Sequence, residues 1–458
     1  MFSYSYIGQR YDFFGINKNY DIIIVENILF PSRMTGEHSG RKMQNRGTSM
    51  LVLFNNFVIL YRVLACHVAS CIEQKGMKNK FILRWFGAFV LLTVILLAGC
   101  RHGSGSKSSS DGEPLAFKYA QHIKVVKHQL YTVVTLVDPW QEGKTLHTYV
   151  LVDRKDSARV DHLPEGTLVY TPLMRSVVFT TAHCKLLEYL GCLDQIVGVA
   201  DLKYILIPSI HERVRLGKIV DCGEGMAPQL EKIIELKPQA LFLSPFENSG
   251  GYGKLAQLGT PIIEMADYME TSPLGRAEWM EFYGMLFGQE KRADSLFNVV
   301  DSLYQGLKAT AQAWHTGRSI LTERKTGSVW YCPGGMSTMG QMIADANGTY
   351  VFSDDKHSGS LPLSFEEVLE KAGDSDVWAF KFNGERLMTK KDLLAEYHGY
   401  DGLKAFKTGQ IYQCNGSVKP YFEETPFRPD LLLRDLIIML HPEATALGSL
   451  RYYEKIEK

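Results

Sequence analysis

The feature that most restricts the fold of this chain is a long helical stretch that separates two regions of alternating strand and helix patterns. Before it, short apolar runs such as residues 196–199 and 240–243 alternate with helical patterns, which predicts βαβ units and a mainly parallel sheet. The same alternation returns from residue 316 onward. In between, residues 290–314 keep an apolar stripe at helical spacing, which predicts a rod of roughly 37 Å. The sequence therefore predicts an α/β protein of two lobes joined by a long interlobe helix, with a cleft between the lobes.

The residues before the first βαβ unit favour a small antiparallel β piece. The runs at residues 131–137 and 148–152 are rich in β-branched and aromatic side chains, as expected of strands. We include this piece in an N-terminal lobe over residues 115–270. A helical region with the interlobe spine over residues 271–315 and a C-terminal lobe over residues 316–458 complete the predicted organisation.

A second constraint is the run Leu97-Ala98-Gly99-Cys100 at the end of an apolar stretch. Basic residues come first, an apolar run follows over residues 86–97, and small residues precede the cysteine. This is the order of a secretory signal peptide, and its ending resembles the bacterial lipoprotein box, in which the cysteine takes a lipid. We therefore predict a signal peptide over residues 77–99, lipidation of Cys100 and a flexible tether over residues 100–114.

The alternative for this segment is an uncleaved transmembrane anchor. A spanning helix needs about 20 apolar residues, and the apolar run here is shorter. On the lipoprotein interpretation, residues 1–76 precede the true start of the chain, and we interpret them as a non-native or disordered N-terminal extension. The mature protein is then exported and faces the periplasm or another extracytoplasmic space.

Composition and motifs argue against several classes of function. Lys+Arg and Asp+Glu both number 50, so no positive charge excess favours nucleic-acid binding. Five of the eight cysteines lie in the predicted lobes, widely spaced and without a C-x-x-C motif. That spacing argues against a zinc site or a disulfide scaffold and favours buried thiols with at most one bridge.

The search for enzyme signatures gives no catalytic candidate. The sequence lacks a phosphate-binding loop, a complete nucleophile elbow and an H-E-x-x-H motif. The adjacent carboxylates Glu423 and Glu424 are expected to point in different directions rather than to face each other across a substrate. We therefore predict no catalytic residue and no metal site.

Four motifs follow one another along the predicted lobes, at residues 190–199, 228–240, 258–262 and 363–378. In this order they resemble the substrate-binding proteins of ABC importers, specifically the rigid-helix class that serves iron complexes and vitamin B12 (periplasmic binding protein class III). Gln229 stands where this family usually has Asn or Asp, and Gln239 where it usually has Asp. The predicted long helix stands where the family has its interlobe spine.

The resemblance implies an exported, lipid-anchored protein that binds a metal chelate and hands it to the permease subunits of an ABC importer. The implied ligand is a ferric siderophore, haem or cobalamin, and no cofactor of the protein's own is implied. The implied state is a monomer held on the membrane by its lipid. The alternative is an exported α/β lipoprotein enzyme, hydrolase-like and of unknown substrate.

The loops beyond the carboxyl ends of the strands are the candidates for ligand contact, because clefts in parallel sheets lie there. Aromatic side chains recur in these loops, and flat rings suit a large or flat chelate. We expect roughly half of these rings to belong to the lobe cores instead, and His183 is also explained as a capping residue. The predicted ligand-binding residues are Thr181, His183, Tyr204, Phe246, Tyr268, Trp330, Tyr331, Met336 and Tyr421.

Two glutamates at predicted helix starts, Glu231 and Glu366, occupy corresponding elements of the two lobes. Acidic side chains stabilise helix N-termini through the helix dipole, by a few tenths of a kcal/mol. The family resemblance adds a second role, in which one glutamate on each lobe pairs with arginines of the transporter. We predict that Glu231 and Glu366 are the transporter-docking residues.

Overall fold

The computed structural model describes residues 112–247 and 251–457. The predicted N-terminal extension, signal peptide and lipidation site at Cys100 lie outside these residues, and so does most of the predicted tether. Within the described part, no helix is long and apolar enough to cross a membrane. Glu113 and Pro114, the last predicted tether residues, already belong to a strand, so the folded chain begins slightly before the predicted boundary.

A five-stranded sheet opens the described chain. Its strands are β1 (Glu113–Leu115), β2 (Ile123–Lys127), β3 (Thr132–Val137), β4 (Thr145–Asp153) and β5 (Thr167–Thr171). The first four pair antiparallel in chain order, and β5 runs parallel to β4. Val134, Leu136 and Tyr149 share one face and are fully buried, as expected of strands with one covered face. The predicted antiparallel piece is therefore confirmed, with one parallel strand added.

A parallel sheet of five strands forms the N-terminal lobe. The elements of this lobe are β6 (Ser176–Val178), α1 (Thr181–Tyr189), β7 (Ile196–Val199), α2 (Pro208–Arg215), β8 (Val220–Asp221), β9 (Gly223–Glu224), β10 (Ala227–Pro228), α3 (Leu230–Leu236), β11 (Ala240–Leu243) and β12 (Ile262–Glu264). The strand order is β12-β11-β6-β7-β8, and β9 and β10 form a separate hairpin. Every residue of β7 and β11 is buried, which is typical of parallel strands covered on both faces.

Three consecutive helices form the region between the lobes, α4 (Pro273–Glu278), α5 (Met280–Phe287) and α6 (Glu290–Gln312). Ser272 caps α4 by accepting a hydrogen bond from Gly275 N, and Pro273 takes the first helical position. Gly288 ends α5 with φ 67°, a left-handed conformation that glycine adopts without steric cost. The helix α6 covers 23 residues and confirms the predicted interlobe rod to within two residues.

The C-terminal lobe holds two sheets. Its elements are β13 (Ile320–Thr322), β14 (Lys325–Thr326), β15 (Val329–Pro333), α7 (Thr338–Asp345), β16 (Ser360–Leu363), α8 (Phe365–Ala372), β17 (Val377–Phe382), α9 (Lys390–Glu396), α10 (Lys404–Thr408), β18 (Ile411–Asn415), α11 (Tyr421–Glu424), α12 (Pro429–Leu440) and β19 (Glu454–Lys455). The larger sheet has the order β13-β17-β18-β19, with only β19 antiparallel. The spine α6 packs against α5 on one side and α12 on the other. The predicted two-lobed α/β fold is thus confirmed.

The smaller sheet of this lobe, β14-β15-β16, corrects one expectation. The alternating pattern predicts mainly parallel pairing in this lobe, but β15 pairs antiparallel with both neighbours. Two residues connect β14 to β15, and Gly327 there has φ 60°. A connection this short permits only antiparallel pairing.

The segment between β1 and β2 is clamped by two buried carboxylates, Glu270 and Glu278, each 2% exposed. Glu278 accepts hydrogen bonds from the backbone N–H groups of residues 118, 119 and 120 at 2.6–2.7 Å. Glu270 accepts from those of residues 121 and 122 at 2.8–3.1 Å, and from Trp279 Nε1 at 2.9 Å. We call residues 118–122 the clamped segment; it connects β1 to β2.

The clamped segment is also tied to the spine. Lys118 Nζ and the Tyr119 hydroxyl both donate to the Asp301 carboxylate, at 2.6 and 2.8 Å, and Asp301 lies in the middle of α6. A Cβ atom on Gly275 would lie 3.0 Å from the Tyr119 carbonyl oxygen, so glycine lets α4 approach the clamped segment closely. The clamped segment is therefore held against α4 and α6.

Candidate functional site

A cleft lies between the two lobes and is lined by both. Its interior has a volume of about 90 Å³, room for on the order of six to nine water molecules. The N-terminal lobe and α4 contribute Thr180, Thr181, Ala182, His183, Ser244, Tyr268, Pro273 and Arg276. The C-terminal lobe contributes Glu323, Tyr331, Pro333, Thr338, Met339, Met342, Ser360, Lys381, Tyr421, Phe422, Thr425, Pro426, Pro429 and Leu432. The lining thus combines hydroxyl groups, aromatic rings and methionines with three charged side chains.

The carboxyl end of the central strand β6 supplies one wall. Thr180 follows this strand, adopts extended backbone angles and caps α1 through its side chain. The cap turns Thr181 and His183, in the first turn of α1, toward the cleft. The expectation that the cleft lies beyond the strand ends of the N-terminal lobe is therefore correct.

A buried network around Asp267 holds this wall in place. Asp267 Oδ1 lies 2.8 Å from His183 Nε2, and Asp267 Oδ2 accepts a hydrogen bond of 3.1 Å from Arg276 Nε. The other ring nitrogen of His183 contacts the Thr180 hydroxyl. Both nitrogens of His183 are thus engaged within the protein, so the ring serves as a positioned wall and not as a metal ligand.

The charge of Asp267 is maintained despite complete burial. Burial alone raises the pKa of this carboxyl group, but His183 and Arg276 outweigh burial and hold the pKa below its usual value of 3.8. Arg276 is 11% exposed, so its guanidinium remains at the cleft surface. The network therefore presents a fixed guanidinium group, whose charge Asp267 balances, from the N-terminal side.

The C-terminal lobe presents a second cation. Lys381, at the end of β17, forms an ion pair with Glu323, and both residues line the cleft. Lys381 Nζ also lies 5.6 Å from the ring centroid of Tyr421, in a cation–π arrangement. Glu323 has φ 63°, a conformation that is uncommon for residues other than glycine and concentrates at functional sites.

Glu423 joins the two lobes directly. Its Oε1 atom accepts hydrogen bonds from the Thr181 hydroxyl at 2.9 Å and from Leu206 N at 3.0 Å. Glu423 lies on α11 of the C-terminal lobe and is 1% exposed, and burial raises its pKa. The neighbouring Glu424 points elsewhere and binds Arg451 at 2.7 Å, which confirms that the two adjacent carboxylates diverge.

A second cavity adjoins the cleft on the N-terminal lobe and has a volume of about 550 Å³. Its lining comes from the ends of β6 and β11, the β9–β10 hairpin, the start of α3, and residues 244–246 and 251–255. We call it the apolar chamber and define it by Phe179, Met226, Leu230, Leu243, Phe246 and Tyr252. Its lining also includes Thr180, Asp201, Ser244 and Lys254.

The predicted ligand-binding residues separate into groups. Thr181, His183, Tyr268, Tyr331 and Tyr421 all line the cleft. Phe246 lines the apolar chamber instead. Tyr204, in a short 3-10 segment, and Met336, half exposed in the turn before α7, line neither of these two cavities.

Trp330 must be removed from the predicted set. Its side chain is fully buried and packs against Trp378 and Tyr400, while its Nε1 donates to the Thr322 carbonyl oxygen at 2.9 Å. Successive side chains of a strand point to opposite faces, so in β15 Tyr331 faces the cleft and Trp330 faces the core. The pattern of the residues alone did not reveal which of the two faces inward.

Several lining residues were missed, chiefly Arg276, Glu323, Met339 and Met342. Arg276 and the two methionines lie inside helices, where an isolated charged or apolar side chain carries no signal of ligand contact. Glu323 precedes a hairpin that was not anticipated. Only the topology brings these positions to one surface.

Glu231 and Glu366 are both exposed in the first turns of α3 and α8. Ser364 and Glu367 form the predicted capping box of α8. The helix dipole and this capping box already explain why acidic residues occur at the start of α8.

In the described part of the chain, no group of three or more His, Cys, Asp or Glu side chains is arranged to hold a metal ion. The five described cysteines are free and buried.

Residues 177–418 match the sequence model of the family described as periplasmic binding protein. An uncharacterized lipoprotein of Methanocaldococcus jannaschii is 28% identical over 290 residues, which cover 60% of this chain and 67% of that protein. A second uncharacterized lipoprotein of the same organism is 28% identical over 357 residues, covering 74% and 86% of the two chains.

Solved structures also show similarity to the chain. A periplasmic binding protein from Veillonella parvula has a TM-score of 0.49 and 13% identity, covering 68% of this chain and 98% of its own. A periplasmic heme binding protein from Pseudomonas aeruginosa has a TM-score of 0.48 and 16% identity, covering 62% and 99% of the two chains.

Proposed function

Because the chain belongs to the periplasmic binding protein family, we propose that it is an exported, lipid-anchored receptor that binds a metal chelate and delivers it to the permease subunits of an ABC importer. The family consists of solute-binding proteins and not of enzymes, so the alternative of a hydrolase-like lipoprotein is rejected. The ligand classes we propose are a ferric siderophore, haem or cobalamin. The protein needs no cofactor for this role, and we propose that it acts as a monomer.

The observation that carries this proposal is the cleft between the lobes. Aromatic rings from both lobes, Tyr268, Tyr331 and Tyr421, line it together with Arg276 and Lys381. Rings supply apolar contact area, and Arg276 and Lys381 supply N–H donors for the oxygens of a chelating group, while a carboxylate balances the charge of each. Family membership and the lipoprotein names of the relatives from Methanocaldococcus jannaschii support the extracytoplasmic, lipid-anchored location.

Removing a cleft ring is expected to weaken chelate binding. Tyr268 and Tyr421 are 7% and 6% exposed, so a ligand that covers the remaining area of either ring gains about a few tenths of a kcal/mol from it. We therefore expect Tyr268→Ala and Tyr421→Ala each to raise the dissociation constant by about twofold. Isothermal titration with a ferric hydroxamate, a ferric catecholate, haemin and cobalamin measures the effect.

The matched control for the rings is Tyr170→Ala, because Tyr170 is 41% exposed on β5 and lies away from the cleft lining. Urea unfolding of all three variants separates lost binding from lost folding. If both cleft variants bind every chelate as the wild type does, the proposed ligand position is wrong.

Charge reversal at both lobes is expected to disrupt delivery without affecting chelate binding. The double variant Glu231→Arg, Glu366→Arg places arginines opposite the arginines that we propose on the transporter, so repulsion replaces attraction. We expect uptake to fall at least about tenfold, and high salt to relieve part of the loss in a binding assay with the purified transporter. Chelate titration of the same protein should give the wild-type affinity.

Two further glutamates provide a close control for docking. Glu235 and Glu370 are exposed on the same helices, α3 and α8, but lie about one turn further along. Glu235→Arg, Glu370→Arg makes the same change of net charge and is expected to retain uptake. Equal loss in both double variants would indicate a general charge effect and would rule out specific docking by Glu231 and Glu366.

A further inference from the structure

The charged side chains of the cleft occur in pairs. Among the residues that the structure describes, Arg276, Glu323 and Lys381 are the charged members of the lining. Arg276 Nε lies 3.1 Å from Asp267 Oδ2, and Lys381 forms an ion pair with Glu323. All four side chains are less than one-fifth exposed. Each cation of the described lining therefore already has a carboxylate as its partner.

The groups directly behind the lining add no permanent positive charge. Glu423 accepts a hydrogen bond of 2.9 Å from the Thr181 hydroxyl and brings a further carboxyl group. His183 lies 2.8 Å from Asp267 and is charged only when it is protonated. Above the usual titration range of histidine, the charges of these described groups sum to zero or to a negative value.

Hydroxyl groups of the lining are turned toward the protein. Thr338 and Tyr268 donate to the backbone carbonyl oxygens of residues 270 and 245, at 3.2 and 2.5 Å. Thr425 donates at 2.8 Å to the carbonyl oxygen of residue 421, in its own helix. A hydroxyl group has one proton, so these three groups can only accept hydrogen bonds from a solute. They suit a solute that carries N–H groups and offer nothing to an anion.

An anionic solute would lose hydration in this cleft without gaining an unpaired cation from the described lining. A neutral solute avoids that cost. The N–H groups of Arg276 and Lys381 can still bind its oxygens, because a cation in an ion pair keeps further donors. The arrangement of charge and hydroxyl groups thus discriminates between solutes by their net charge.

We propose that the cleft selects solutes without net negative charge, and that Asp267 and Glu323 determine this specificity by neutralising its two cations. The favoured class is a neutral or cationic chelate that carries N–H groups of its own. This inference rests on the proposed receptor function and narrows its ligand. Neutral ferric hydroxamates and cobalamin meet the criterion, whereas the anionic ferric catecholates and haem, with its carboxylates, do not.

The first experiment measures the charge of the cleft without any chelate. Met339 and Met342 line the cleft, so their isotope-labelled methyl groups report on small molecules that approach it. Three nitroxides of similar size, carboxy-, carbamoyl- and aminomethyl-PROXYL, are negative, neutral and positive. Their paramagnetic broadening of the two methyl signals is compared at low salt and at about pH 8, above the titration range of histidine. In the wild type, the anionic nitroxide should broaden the signals no more than the neutral one does.

Two variants each remove one half of an ion pair. Glu323→Gln leaves Lys381 without its carboxylate, and Lys381→Gln leaves Glu323 without its cation. At low salt, one unpaired charge changes the local concentration of a singly charged probe by about threefold. Glu323→Gln should therefore increase broadening by the anionic nitroxide about threefold, and Lys381→Gln should do the same for the cationic one. The matched control Glu142→Gln, at an exposed position between β3 and β4 and outside the cleft lining, should change neither.

The second experiment uses the four chelates of the receptor titration. The neutral ferric hydroxamate and cobalamin should bind at least about tenfold more tightly than the ferric catecholate and haemin, because only the latter two bring negative charge into the cleft. Glu323→Gln supplies one unpaired cation and should reduce this preference by about threefold or more. Glu142→Gln should leave the preference unchanged.

The results separate this inference from the receptor function. Stronger broadening by the anionic nitroxide than by the neutral one in the wild type overturns the charge selectivity, and so does an unchanged response in both ion-pair variants. Tightest binding of the ferric catecholate or haemin also overturns it and leaves the receptor function intact. The expected nitroxide responses with no affinity for any of the four chelates support the charge selectivity and count against the chelate ligand.

Discussion

Replacing Asp267 with alanine is expected to lower the free energy of unfolding by about 3–5 kcal/mol, because it leaves the largely buried guanidinium of Arg276 without its ion-pair partner and His183 without a hydrogen-bond partner. Asp267 is fully buried between Arg276 and His183, at 3.1 and 2.8 Å. The same change removes the support of one cleft wall, so chelate affinity should fall as well. Urea unfolding followed by tryptophan fluorescence measures the first effect.

A surface ion pair provides the control for Asp267. Asp194 is 80% exposed and binds Arg213 at 2.6 Å, and Asp194→Ala is expected to cost no more than about 1 kcal/mol. A similarly small cost for Asp267→Ala would contradict a structural role of the buried network.

The network also predicts a pH dependence with a defined sign. The pKa of Asp267 lies below its usual 3.8, so the ionised carboxylate stabilises the fold above that pH. The stabilisation is lost as the pH falls through the lower value of the folded state. The Asp267→Asn variant has no group to titrate there and should lose less stability than the wild type between about pH 5 and pH 2.

Replacing Glu278 with alanine is expected to cost about 2–4 kcal/mol, because three backbone N–H groups of the clamped segment lose their acceptor together. The lower end of this range, about 2 kcal/mol, allows for water molecules that reach part of this segment and replace the lost acceptor. Unfolding by urea gives the cost, and hydrogen exchange at residues 118–120 should show faster exchange in the variant.

The neighbouring Glu281 gives the opposite expectation. Burial, with help from Glu278 and Asp294, raises its pKa to about 7, so its charged form is unfavourable in the folded protein. This penalty builds up as the pH rises from the usual 4.5 to about 7 and is complete above that, so Glu281→Gln should be more stable than wild type at pH 8. If Glu278→Ala stabilised the protein as Glu281→Gln is expected to, repulsion between neighbouring carboxylates would govern stability here. The hydrogen bonds from Glu278 to the clamped segment would then contribute little.

The spine α6 and the capped start of α8 were predictable because their signals are local. The apolar stripe at helical spacing over residues 290–314 and the Ser364–Glu367 pair each depend on neighbours within a turn or two. The same holds for the parallel strands β7 and β11, whose apolar residues need burial on both faces. Such local patterns predict their structure without knowledge of the tertiary fold.

The cleft was predictable in position but only partly in composition. Strand ends indicated Thr181, Tyr268 and Tyr421, but the network of Asp267 joins residues 84 positions apart, and the Glu423 contact with Thr181 spans 242. No local pattern encodes such pairs. The misassigned Trp330 shows the same limit, since the face of β15 that meets the core is decided by the antiparallel sheet around it.

The clamped segment also determines where mechanical load enters the molecule. A pull on residue 112 can peel the three-residue strand β1, but it then meets five backbone N–H groups held by Glu270 and Glu278. Lys118 and Tyr119 pass the remaining force to Asp301 in the middle of α6, along the stiffest element of the fold. Tension applied at this end is therefore shared between α4, which also carries the cleft residue Arg276, and α6.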